Sequence, residues 1–509
     1  MNVYYYFNEQ KRQERNGKGL DYPACYLPAI LKFMGIDAKR FSGQTLYAHD
    51  ILFVCAEKTD FTPCCRVITL GTSPAERIEK VFTHINRIPL FVPLEKAPEG
   101  EVVLRDENGL PAIVKIKNGY HFCFDLVSSV WFSEDGYPTK NDYFFIGRIP
   151  DTRPLKDEFS PPPFNDMLIA FLEDILKEMG APSVYRLPPK DGTVPDALIH
   201  FSGDDDCTSK DLNIEAAKNM QAYGFPYHIN AMVGKSGDFV FDKNTYDELS
   251  ALGCEVALHL NFADGYEYSD DTVKKQSALF EKKFGVKPYT NVNHCLIQEG
   301  STANRLRPLS ECKIMADNSK LGIFDESNIN AFDLCGYGFG SAFPRFVIDD
   351  AKHENVPLYT LEIPLTYYEA RVKDGDTSKI KAYIDGAVQS GRIIQFFFHP
   401  HYISSYYKEK LVWTTDALKF INEYTKKFNI AFTTTDKIAK FWHARADAKI
   451  KTDGECIKVD SKIPIVVSLP PCYKDKMITV DGITATPEIK NNNILLPVDA
   501  GKHTIKKLS

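Results

Sequence analysis

Ala197-Leu198-Ile199-His200-Phe201-Ser202-Gly203-Asp204-Asp205-Asp206 is the stretch on which the fold turns. Its mostly apolar first half reads as a buried β-strand, and Ser202-Gly203 as the turn that ends it. The three aspartates are then what the strand delivers to its C-terminal rim, where open α/β sheets and barrels place their ligands. Adjacent carboxylates repel, so a fold that keeps three together needs a cation, protonation or full solvation. An acidic run taken alone is most often a solvated turn or a helix cap. The chain on either side reverses those odds.

From about residue 195 to 445, strands alternate with helices, the pattern of parallel β-structure with crossover helices. Ile380, Tyr383, Ile384, Ala387 and Val388 fall on one helical face, Gly391 stops that helix, and Ile393-Ile394-Gln395-Phe396-Phe397-Phe398 follows as a strand. Leu418, Ile421 and Phe428 mark another helix, which leads to Ala431-Phe432-Thr433-Thr434. Three strand-like runs in this region end in histidine: His259 after Glu255-Val256-Ala257-Leu258, His294 after Asn291-Val292-Asn293, and His399, itself followed by Pro400-His401. A lone histidine in such a place is more often a core or capping residue. Three of them in one parallel domain that also presents an aspartate triplet all meet at one rim.

The flanking regions differ in pattern. Residues 1–150 read as an N-terminal α/β sandwich-like domain, with strands at Val3 to Phe7, Asp50 to Cys55, Arg66 to Leu70 and Ile88 to Val92. Ser73-Pro74 and Glu76 spell a capped helix start, and Asn108-Gly109 and Asn118-Gly119 spell hairpin turns. Residues 151–194 read as a linker, Pro161-Pro162-Pro163 included, followed by one helix over about Asn165 to Met179. The barrel is expected over 195–446, and a small antiparallel β-domain over 450–509, with Asp481-Gly482 as one of its turns. The expected fold class is α/β throughout the centre.

With 61 basic and 68 acidic residues among 509, the net charge is −7 and no basic block tracks phosphates, so nucleic acid is not an expected partner. No apolar run reaches the roughly 20 residues of a membrane span, and the N-terminus lacks a signal peptide's apolar core. Several of the 12 cysteines lie inside strand-like runs such as Ile51-Leu52-Phe53-Val54-Cys55 and read as buried thiols. A reducing, cytoplasmic location is the expectation.

Carboxylate plus neutral imidazole is a mixed oxygen and nitrogen donor set that suits zinc, with cobalt, nickel and iron(II) as further candidates. Such a cation relieves the crowding in the aspartate triplet. A second carboxylate that takes a proton from water and a histidine that protonates the leaving group complete what amide or ester hydrolysis needs.

The order of these motifs resembles the polysaccharide deacetylase family, whose catalytic module, the NodB homology domain, is a distorted (β/α) barrel with fewer than eight strands. Phe201-Ser202-Gly203-Asp204-Asp205-Asp206-Cys207 stands in the place of that family's Thr-Phe-Asp-Asp-Gly, and Gly253-Cys254-Glu255-Val256-Ala257-Leu258-His259 in the place of its next motif. Phe284-Gly285-Val286-Lys287-Pro288-Tyr289, the strand ending in His399, and Thr433-Thr434-Thr435-Asp436 with Ile438-Ala439-Lys440-Phe441-Trp442 continue the match over about half the chain. The resemblance implies a metal-dependent deacetylase or amidase acting on an N-acetylated sugar or related small amide. It makes Asp206 and His259 metal ligands and His399 the general acid.

Two departures leave roles open. Ala263 stands where the family has the second histidine of His-x-x-x-His, so His294 is either the replacement third ligand or a substrate contact. The base is Asp205 if the last two aspartates align with the family's pair, and Asp204 if the pattern is Asp-x-Asp; alternate residues of an extended chain share a side. His401, Asn261 and Asp264 are close enough in sequence to contribute. Gly336-Tyr337-Gly338-Phe339-Gly340 with Arg345 reads as an active-site loop in which Tyr337 and Arg345 meet substrate, because no helix follows to make a nucleotide loop. Two other readings compete: a barrel that has lost hydrolytic capacity and binds glycans or protein, and metal-free glycoside hydrolysis by paired carboxylates.

Overall fold

A computed structural model describes residues 1–17, 22–55, 63–72, 82–90, 92–135, 163–297, 301–320, 340–349, 356–366 and 368–508. The capped helix expected from Ser73 and the loop residue Tyr337 lie outside these residues.

The centre is a sheet of eight parallel strands wrapped by helices, a distorted (β/α) barrel. We label its strands β1 (Ala197–Asp204), β2 (Tyr227–Met232), β3 (Cys254–Leu260), β4 (Thr290–Asn293), β5 (Ala316–Asp317), β6 (Leu361–Glu362), β7 (Ile393–Phe397) and β8 (Ile430–Thr433). The principal helices between and after them are α1 (Lys210–Ala222), α2 (Lys243–Ala251), α3 (Asp270–Phe284), α4 (Thr302–Glu311), α5 (Ser378–Ser390), α6 (Lys408–Thr425) and α7 (Thr435–Asp447). The strand order is β6-β5-β4-β3-β2-β1-β7, with β8 also on β1. One edge of β1 pairs with β7 through residues 198–202; its other edge is shared, β8 taking residues 197–200 and β2 taking residues 202–204. A strand wedged into the floor in this way is what distorts the barrel.

Every residue of β1 is buried, which is why its sequence is continuously apolar where it meets the helices and polar at alternate positions where it faces the interior. His200, Ser202 and Asp204 make that inward row. On β2 the corresponding row is His228 and Asn230. Gly203 is required by a close approach: a Cβ there would lie 1.7 Å from the Phe398 carbonyl oxygen.

The N-terminal region forms a seven-stranded sheet. Ala38–Arg40, Val3–Phe7, Ile51–Cys55, Arg66–Leu70 and Gly119–Phe122 run parallel, and Pro111–Ile116 and Glu101–Arg105 complete it as antiparallel strands. Ile88–Leu90, expected as a strand of the same domain, pairs instead with Thr83–Ile85 in a separate hairpin. The C-terminal strands build a five-stranded antiparallel sheet and a four-stranded one around Ile457, Val467, Leu496 and Ile505. The four-stranded sheet includes Ser183–Val184, from far upstream, paired with Val467 and Ser468. Among the described residues, no helix is long and apolar enough to cross a membrane.

Candidate active site

At the C-terminal rim of the barrel the chain leaves β1 through a reversal. Asp206 and Cys207 take left-handed backbone angles, φ 41° and 58°. The turn separates the three aspartates. The Asp205 carboxylate points into the protein, where its Oδ1 accepts the backbone N–H of Met232 and of Cys207, both at 3.1 Å. Burial pushes this carboxyl well above the usual range, the two N–H groups opposing it. Asp204 and Asp206 face the other way, onto the histidines.

His259, on β3, is fully buried. Its Nδ1 lies 2.8 Å from the Val292 carbonyl oxygen, which can only accept, so Nδ1 carries the proton and Nε2 presents a lone pair. That Nε2 is 3.4 Å from Asp204 Oδ2, 3.4 Å from Asp206 Oδ1 and 3.2 Å from His294 Nδ1. His294 follows β4, with its Nδ1 3.4 Å from Asp206 Oδ1. Asp206 Oδ1 is buried and has no hydrogen-bond partner. One oxygen and two nitrogens thus converge within 4.8 Å of one another. Ligand-to-ligand separations of this size are those around a divalent cation bound at about 2.0 to 2.2 Å. The donor set, one carboxylate and two imidazoles, fits zinc or a neighbouring transition metal.

His399 closes the site from β7. Its Nε2 is 3.4 Å from Asp206 Oδ2, and its Nδ1 is 2.6 Å from Glu369 Oε1, which also accepts the His399 backbone N–H at 3.1 Å. Glu369 is in turn held by Arg371 at 2.9 Å. Burial lowers the affinity of His399 for its proton, but the Glu369 carboxylate outweighs it and lifts the pKa to about 9. Asp204 Oδ1 accepts from Asn230 at 2.8 Å, and burial raises the Asp204 carboxyl, the His259 imidazole beside it opposing and the charge of Asp206 reinforcing the rise. Burial also works against ionisation of Asp206, yet the imidazoles of His259, His294 and His399 around it hold it well below the usual carboxylate range. His294 is raised to about 10 because Asp206 overcomes the cost of its burial.

The other residues singled out from the sequence are placed as follows. His401 sits beside His399, ring centroids 5.1 Å apart, and contacts Tyr402, Tyr406 and Tyr407. Burial and then the positive His399 hold it neutral, at about 4. Asn261 is fully enclosed and ties down its own loop, donating to Val233 and Asp264 and accepting from Ala263. Arg345 is enclosed behind β6, paired with Glu134 and Glu362, and is not among the groups gathered around Asp206. Two members of the site were not anticipated, Glu369 and Asn230. Asn230 had a signal, since a polar side chain every second residue along a buried strand faces a polar interior. Glu369 lies beyond a two-residue strand with no periodicity to flag it.

No protein-family model matches the chain, and no curated protein matches it. Among solved structures, it is similar to one from Mycobacterium smegmatis named as a polysaccharide deacetylase, at 13% identity and TM-score 0.35, over 52% of this chain and 96% of that one. It is also similar to a peptidoglycan deacetylase of Bacillus subtilis, at 11% identity and TM-score 0.23, over 50% and 95% of the two chains. A third is a family 4 acetyl xylan esterase from Clostridium thermocellum in complex with a cobalt ion, at 12% identity and TM-score 0.26, over 48% and 91%. At these scores the chemistry rests on the side chains themselves.

Proposed function

We propose that the chain is a metal-dependent hydrolase that removes an acyl group, acetyl first among candidates, from an N-acetylated sugar or related amide. The convergence of Asp206, His259 and His294 on one point, with Asp204 and His399 at its sides, carries this reading. Asp206, His259 and His294 would hold the cation, His294 standing in for the histidine that Ala263 replaces. When bound there, a divalent cation supplies Lewis acidity toward the acyl carbonyl.

Asp204 is the base: it takes a proton from the water that attacks the acyl carbon. Its burial and its like-charged neighbour raise its proton affinity, which suits that task. Asn230 fixes the carboxylate by binding its other oxygen. His399 is the acid. It holds its proton at neutral pH under the influence of Glu369 and delivers it from Nε2 to the departing nitrogen. His401, neutral and flanked by tyrosines, lines the side from which the sugar approaches.

The test is acetate release from N-acetylated chito-oligosaccharides by the full chain, with zinc or cobalt supplied and then removed by a chelator. Turnover that disappears on chelation and in Asp204→Asn supports the proposal. Glycan binding without turnover in either metal overturns it in favour of a binding module, and turnover indifferent to chelation overturns it in favour of metal-free hydrolysis.

A further inference from the structure

A second group of ligating atoms lies in the barrel floor, away from the rim. Glu255 precedes His259 by four residues on β3, which puts it about 13 Å down the strand from the rim site. His228 is on β2, directly beside Glu255 in the register. Asp436 is in the first turn of α7, which the wedged strand β8 feeds into the gap below β2.

The hydrogen bonds fix which nitrogen of His228 carries its proton. Thr290 Oγ1 donates its only proton to Asp436 Oδ1 at 2.6 Å, so it accepts from His228 Nε2, 3.2 Å away. His228 is 1% exposed, and burial favours the neutral ring. The lone pair is therefore on Nδ1. Nδ1 has no hydrogen-bond partner, and it faces Glu255 Oε2 and Asp436 Oδ1 at 3.9 Å each. Three electron-rich atoms point at one another with no proton between them. All three lie within 4.8 Å of one another, the span of ligands bound to one ion at about 2.0 to 2.4 Å.

We propose that His228 Nδ1, Glu255 and Asp436 form a second, structural site for a small divalent cation of the zinc or manganese kind. One imidazole with two carboxylates is the donor set such ions share. The Thr434 hydroxyl, which donates to Glu255, and the Thr290 hydroxyl, which donates to Asp436, orient both carboxylates toward the gap. A cation there neutralises two carboxylates, of which Asp436 is enclosed and raised to about 6 by its burial. It also joins β2, β3 and α7 at the place where β8 splits β2 from β1. Glu255, partly exposed, gives the ion its way in. The exposed Lys440 is the competing source of positive charge, and its ammonium lies over the Tyr289 ring at 3.8 Å.

The full chain, stripped with chelator and reloaded with Zn²⁺ or Mn²⁺, is dialysed and its bound metal counted by mass spectrometry. The wild type is expected to retain two equivalents, and Asp436→Asn and Glu255→Gln one each. Asp206→Asn also retains one, the one in the floor. The thermal midpoint of Asp206→Asn still rises on adding metal, whereas that of Asp436→Asn loses most of this rise. A His228→Gln chain that fails to fold leaves the two carboxylate variants to decide. A wild type that saturates at one equivalent, or an Asp436→Asn chain that still holds two, overturns the second site without touching the first. An Asp206→Asn chain with unchanged metal content overturns the rim site instead.

Discussion

Asp204, Asp205 and Asp206 have the same chemistry and three different surroundings, so their substitutions separate cleanly. Asp204→Asn is expected to lower kcat by about 10²- to 10⁴-fold while the protein keeps its rim metal, because a general base is lost and no ligand is. Asp206→Asn is expected to lose that metal and the activity with it. Asp205→Asn keeps the acceptor oxygen for the Met232 and Cys207 N–H groups and should leave kcat within a few-fold; Asp205→Ala orphans both donors and costs about 1 to 3 kcal/mol in a denaturant titration. Loss of turnover in Asp205→Asn with wild-type stability would make Asp205 the base. Glu369→Gln is a test of the acid. His399 is raised to about 9 chiefly by Glu369 acting against burial, and an acid works only while protonated, so activity is lost as pH rises through that pKa. Removing the Glu369 charge lowers the pKa, and the alkaline limb of the kcat/KM profile should move to lower pH. The metal itself competes with protons on His294, so rim-site affinity should weaken as pH falls below about 10, measurable by metal titration at two pH values.

At the scale of elements, the join between β1 and β7 is the tightest constraint. Gly203→Ala drives a methyl into the Phe398 carbonyl, a backbone group that cannot swing aside, so the strands must separate. Expected is a loss of about 3 kcal/mol or more in stability, and a fall in kcat beyond it, since Phe398 is the residue before His399. Melting temperature and kcat measured together check both parts. The same join explains how much the sequence disclosed. Long apolar runs ended by a polar residue, such as β1 before the aspartates and β7 before His399, announce parallel strands and their rim. The Asp-x-Asp alternative rested on the alternation of an extended chain; Asp204 and Asp206 both lie against His259, although the backbone turns left-handed at Asp206 and Cys207. Strands β5 and β6, two residues each, carry no period to detect, and Glu369 stays hidden behind them. Arg345 stood among glycines and aromatics that suggested a loop; its partners Glu134 and Glu362 are 211 and 17 residues away, and no local pattern records such pairing.

Across the whole molecule, three parts of the chain meet at the last turn of α7. Arg445, 1% exposed, donates to the carbonyls of Tyr185 and Val184 and reaches that of Lys32 at 3.4 Å, so one side chain touches the N-terminal region, the connecting segment and, through Val184, the C-terminal sheet. Arg445→Met keeps much of the apolar stem and leaves the buried carbonyls unpaired, which should destabilise the chain by about 2 to 4 kcal/mol by thermal or denaturant unfolding with kcat little changed. The pairing of Ser183–Val184 with Val467 and Ser468 has a practical corollary for anyone dissecting this chain. Starting a fragment at the barrel's first strand, Ala197, would strip an outer strand from a sheet nearly three hundred residues downstream. The bared edge of Ile465–Leu469 would then be a template for another copy's strand. Fragments meant to stay monomeric should begin before Ser183, and the C-terminal strands should not be expressed without it.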